Sequence, residues 1–118
     1  MKHFLLTTIA AVVLVGCGES ASERALHKAA SDGNIEAVKQ HLASGTDVNA
    51  KGGRGLTPLH FAAGFSRGPV GKEIAGLLIA NGADVNATTN RGTTPLDWAA
   101  NDEIASIIRK HGGKSGGK

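Results

Sequence analysis

Tyrosine is missing from the 118 residues, tryptophan occurs once and phenylalanine three times, so the interior has to be assembled from Ala, Leu, Ile and Val. Such side chains suit thin helices packed closely, and the length allows one modest core. Cysteine also occurs once, which excludes an intramolecular disulfide. The formal charge is only +3, and +2 without Lys2, with no basic run and no row of stacking aromatics. Nucleic acid is therefore not among the expected partners. No cysteine and histidine set has zinc spacing, no serine sits in a nucleophile elbow, and no glycine loop carries the lysine of a phosphate cradle. Gly52-Gly53-Arg54-Gly55 reads as a turn. Catalytic, metal and cofactor sites have no residues to rest on, and the chain is not read as an enzyme.

What is present is an echo. Thr57-Pro58-Leu59-His60-Phe61-Ala62-Ala63 returns as Thr94-Pro95-Leu96-Asp97-Trp98-Ala99-Ala100, and a fainter copy, Ala25-Leu26-His27-Lys28-Ala29-Ala30, lies 60 − 27 = 33 residues earlier. A threonine can cap a helix, and proline suits its first position because its missing N–H would have had no partner there. Each copy is expected to open a short helix. The period and wording resemble the ankyrin repeat. The resemblance covers Glu23 to Gly113 and implies an all-α fold, a short ankyrin-repeat solenoid of about three helix-turn-helix repeats joined by projecting hairpin loops.

Glu23 to Ser31 is read as the first helix, with a charged outer face suited to a terminal repeat, and Ile35 to Ser44 as its pair, with Ile35, Val38 and Leu42 inward. Thr46-Asp47-Val48-Asn49-Ala50 matches Ala83-Asp84-Val85-Asn86-Ala87, leading into hairpins of equal length. The family often has an aspartate midway through that loop, where Gly52 and Thr89 stand here, so the bonds that stiffen the tip are expected to be partly missing. The next interval is 94 − 57 = 37 residues, and the surplus falls within the glycine-rich stretch from Gly64 to Gly71. It is expected to be an exposed loop, removable without harm to the fold, before a helix over Lys72 to Ala80. Repeat three is trimmed instead: Asn101 or Asp102 caps a helix over Glu103 to Lys110, and residues 113–118 read as a disordered tail.

At the other end, Met1-Lys2-His3 and the apolar run Phe4 to Val15 have the layout of a signal peptide, too short for a comfortable membrane span. Leu14-Val15-Gly16-Cys17 resembles a bacterial lipobox, which implies a signal peptide over 1–16, an acylated Cys17, palmitate among its possible chains, and a polar tether over 17–22. The repeat domain then spans 23–112. Gly18 after the cysteine, by resemblance to enteric lipoproteins, favours the periplasmic side of an outer membrane where the cell has one. The expected location is the bacterial cell envelope, with the membrane engaged through the lipid on Cys17.

The repeat resemblance implies protein binding through hairpin tips and first helices. By family position the variable residues are Gly53, Arg54 and Leu56 on one tip, Asn90, Arg91 and Thr93 on the next, and Gly64, Phe65, Ser66 and Arg67 on the adjoining turn, and among them the expected contacts are Arg54, Leu56, Phe65, Arg67, Asn90 and Arg91. His27 and His60 are expected to tie adjacent repeats together rather than to act in catalysis. Phe61 and Trp98 are read as packing between helices. The expected partner is another protein. An inhibitor or immunity-type protein for an exported enzyme, or a structural factor of an envelope complex, are the alternatives within that class.

Overall fold

The structure, a computed structural model, describes residues 21–65 and 68–116. The signal peptide, Cys17 and Arg67 therefore lie outside the described residues. Among the described residues six α-helices follow in order: α1 (Ala21–Asp32), α2 (Ile35–Ala43), α3 (Pro58–Phe65), α4 (Gly68–Ala80), α5 (Pro95–Trp98) and α6 (Asp102–Lys110), with a short 3-10 turn over Gly53–Gly55. The first helices pack side by side as α1, α3 and α5, and the second helices as α2, α4 and α6, each pair closing on itself. The result is the expected two-layered solenoid.

Side chains at helical spacing make the core. Leu26, Ala29, Ala30, Val38, Leu59, Ala62, Ile74, Ala75 and Leu78 form one cluster across the first two repeats. Ala63, Ile104 and Ile108 form a smaller one in the third, and Val85 and Ile107 pack against both. Small alanines allow α1 and α3 to approach closely, as the scarcity of large aromatics requires. Asn34 caps α2 by accepting the Ala37 N–H at 3.1 Å, and Asn101 caps α6 by accepting the Ile104 N–H at 2.9 Å.

Beyond single-residue shifts at helix ends, four features differ from expectation. The first helix takes in Ala21 and Ser22, assigned to the tether. The surplus residues do not lengthen the turn between α3 and α4; α4 starts at Gly68 and absorbs Gly68 to Gly71 as an extra helical turn. Pro69 is tolerated there because a first-turn N–H has no helical partner. Helix α5 stops at Trp98, and the Ala100 N–H crosses to the Ala63 carbonyl at 2.9 Å, because the trimmed connection pulls the chain across the end of α3.

The fourth difference concerns residues 113–116, expected to be part of a disordered tail. Asn49 donates its amide to the Gly82 carbonyl at 3.2 Å and accepts the Asp84 N–H at 2.7 Å, which joins one hairpin to the next. Asn86, its counterpart, donates to the Gly112 carbonyl at 3.1 Å and accepts the Lys114 N–H at 2.8 Å. The segment Gly112 to Gly116 thus lies where the opening of another hairpin would lie. Backbone groups make these bonds, so a composition rich in glycine does not prevent them.

Candidate functional site: the groove between the hairpin tips

The side chain three residues after each helix-opening threonine organises the tips. In repeat two, the Thr57 N–H donates to His60 Nδ1 at 3.0 Å. That fixes the proton on Nε2, which donates to the Thr93 carbonyl of the next hairpin at 3.2 Å. His60 is 0 % exposed, and burial holds its imidazole below the ordinary value against the raising effect of the Thr93 bond. His27 donates through Nε2 to the Ala50 carbonyl at 2.8 Å. Both histidines are the expected inter-repeat ties. Thr94 is the expected N-cap of α5 and shares a capping box with Asp97, and its hydroxyl donates to the Lys114 carbonyl at 2.6 Å, whereas the Thr57 hydroxyl pairs with His60 Nδ1 at 2.9 Å.

In repeat three the same place holds Asp97. Its carboxylate accepts the Thr94 N–H at 2.9 Å and the Gly116 N–H at 2.7 Å. The Thr94 N–H above all, with Gly116 and the Thr94 hydroxyl, holds the Asp97 carboxyl below its usual range against an opposing push from burial.

The second tip is not short of stiffening bonds. Thr89 Oγ1 accepts the Arg91 and Thr93 N–H groups at 3.2 and 3.3 Å, so a threonine hydroxyl does what a mid-loop aspartate would. At the first tip, Gly52 has no side chain to offer, and the turn closes through its backbone to Leu56 and Gly55. The tips also lock to each other: the Asn90 N–H donates to the Arg54 carbonyl at 2.9 Å, and Lys51 Nζ donates to the Thr88 carbonyl at 3.0 Å. Gly55 has φ +77°, which favours glycine, and a Cβ there would also lie 3.1 Å from the Asn90 backbone nitrogen, closer than ordinary packing.

Between these tips lies a groove of about 690 Å3 lined by Arg54, Thr89, Asn90, Arg91, Thr93 and Trp98. Three of the expected contacts, Arg54, Asn90 and Arg91, therefore come together. Leu56 does not join them: it is 5 % exposed, its side chain turned into the core, and it is removed from the contact set. Phe65 is 45 % exposed and lines a separate hollow with Ser31, Asp32, Gly33 and Val70. Its ring meets Trp98 edge-on at 5.5 Å and Phe61 at 5.5 Å, and Phe61 meets His27 at 5.1 Å. The aromatics thus pack between helices, and Trp98 joins the two hollows.

Sequence reasoning read Trp98 as packing and missed it as a lining residue, whereas Thr93 stands at a tip position that the resemblance already marks as variable. Trp98 reaches the groove because α3 has Gly64 beneath it, where a Cβ would lie 2.8 Å from the indole ring. The indole N–H donates to Thr93 Oγ1 at 3.0 Å, which sets the ring's orientation. A single tryptophan opposite a glycine was the available signal.

No group of three or more His, Cys, Asp or Glu among the described residues could hold a metal ion, and no described helix is long and apolar enough to cross a membrane. Residues 18–115 match the family model for ankyrin repeats (3 copies). The chain belongs to the ankyrin-repeat family, a protein-interaction fold that is typically non-enzymatic. A search among curated proteins gave no match.

Proposed function

We propose that the chain is an exported, lipid-anchored protein-binding module of the bacterial cell envelope, presenting the groove between its hairpin tips to a protein partner. The observation that carries the binding surface is the meeting of Arg54, Asn90 and Arg91 over Trp98, on two tips joined by backbone bonds. A preformed surface loses little entropy on binding, which favours recognition of a folded or extended partner without rearrangement. Phe65 extends the contact set beyond Trp98, and Arg67 is kept in it on the sequence alone.

The anchor rests on Leu14-Val15-Gly16-Cys17 after the apolar run, and on the solitude of Cys17. Lipid on that cysteine confines the module to a membrane and raises its effective concentration towards partners held there. The Cys17→Ser variant is expected to leave the membrane fraction and to lose the mass of the acyl chains. Recovery of that variant in membranes at unchanged processed mass would sink the anchor. For the surface, capture of a partner by wild type should fall when Arg54→Asn and Arg91→Gln are combined. Undiminished capture would move the contact elsewhere.

A further inference from the structure

The groove has an imbalance of hydrogen-bonding groups that bears on the chemistry of its occupant. This inference rests on the groove being the binding surface. Neither the Arg54 nor the Arg91 guanidinium has an ion pair among the described residues, and the Asn90 amide has no hydrogen-bond partner there. The hydroxyls add one more donor. Thr89 Oγ1 already accepts two backbone N–H groups, so its two lone pairs are occupied and it must donate to Thr93 Oγ1 at 2.7 Å. Thr93 Oγ1 then accepts from Thr89 and from the Trp98 indole, which leaves its own hydrogen without an acceptor. Five residues of six in the lining supply side-chain N–H, O–H or ring surface with no carboxylate among them, and the one spare side-chain acceptor is Asn90 Oδ1.

The backbone of Arg54 reinforces this. Its φ of +67° is the left-handed region, uncommon outside glycine, asparagine and aspartate, and it is held there by the Asn90 N–H on its carbonyl. A residue better suited to that conformation would be uncharged or acidic. The guanidinium stands instead on the tip, across the groove from Arg91.

We infer that the groove binds an extended, acidic segment of the partner polypeptide, whose carboxylates pair with Arg54 and Arg91 while its backbone lies across Trp98. Two forked guanidiniums match carboxylates bidentately, and the hydroxyl and amide donors serve the carbonyls between them. A groove of about 690 Å3 takes in a projecting segment, which a flat anionic bilayer does not supply.

Trp98, the only tryptophan, reports on the groove by its fluorescence. The full chain is titrated with N-acetylated hexaglutamate amide, with hexaglutamine of the same ends, and with vesicles of phosphatidylglycerol. Hexaglutamate should give a saturable change that weakens with salt, at least tenfold tighter than hexaglutamine, and at least tenfold weaker in the Arg54→Asn/Arg91→Gln variant. A thermal melt establishes that this variant is folded; Arg91→Gln alone, at an ordinary backbone position, serves if it is not. Equal response to the two peptides, or a response indifferent to the arginines, overturns the acidic segment. A larger arginine-dependent response to phosphatidylglycerol overturns it in favour of a membrane surface. An inert hexaglutamate alongside arginine-dependent partner capture would leave protein binding standing while removing this chemistry.

Discussion

His60 and Asp97 occupy the same place in successive repeats but face opposite neighbours. His60 offers Nε2–H to a carbonyl, whereas the next group beyond Asp97 is the Gly116 N–H, which needs an acceptor. The change from histidine to aspartate is thus a reversal of hydrogen-bond polarity matched to what lies beyond. Asp97→His should set two donors against each other and release residues 114–116, read as lost order in the Gly116 amide resonance; an unchanged resonance would refute the reversal. Acid should act likewise. The Asp97 pKa is depressed on folding, so its stabilising effect is present above the unfolded carboxylate value and is lost as pH falls through the lower folded value. His60 is depressed too. Above the ordinary imidazole value of 6.5 its effect is complete, and stability declines as pH falls from there towards the folded value, since the unfolded chain takes up the proton first. His60→Leu should flatten that decline and cost about 1–3 kcal/mol, from the unsatisfied Thr57 N–H and Thr93 carbonyl, measured by urea unfolding.

Among the elements, α4 carries the clearest consequence of the longer repeat. Val70 packs against the core and over Gly33, and Gly71 is buried, so the extra turn has become part of the fold. Deleting Gly68 to Gly71 is therefore expected to lower stability by about 1–2 kcal/mol rather than leave it unchanged. A melt at or above the wild-type midpoint would restore the view of a dispensable insertion. That stretch shows where reading from sequence stops. The Thr-Pro-Leu-His and Asp-Val-Asn motifs state side-chain roles, and they placed the helices, the core leucines and the histidine ties. Glycine and proline around Pro69 look the same in a loop as in a helix's first turn, so composition alone gave the wrong element. Leu56 was assigned outward by family position, yet it precedes buried Thr57 at a point where the chain dives into the core. Residues 113–116 were opaque because their bonds are made by backbone. The parallel between Asn49 and Asn86 was the one legible clue.

At the scale of the whole molecule, the two apolar clusters share Val85 and Ile107, so neither can open without uncovering the other. Three repeats are near the least that can bury a common core, and unfolding should be a single cooperative step. Helical circular dichroism and Trp98 fluorescence should then give the same urea midpoint. Separate midpoints would mean that the third repeat melts on its own. Leu59, 1 % exposed in the larger cluster, makes the sharper test of packing: Leu59→Ala should cost about 2–5 kcal/mol.

The bonds from Asn86 and Asp97 to Gly112, Lys114 and Gly116 have a further consequence for anyone lengthening this array. A repeat grafted after Gly116 would arrive with its own hairpin, and the sites that should receive it are already taken. The graft and the resident segment would be rivals for one amide and one carboxylate, so the added unit would dangle or evict its predecessor. A longer array is better made by splicing a unit of 33 residues, the interval from His27 to His60, into the middle, where each asparagine keeps its neighbour and Asp97 stays last.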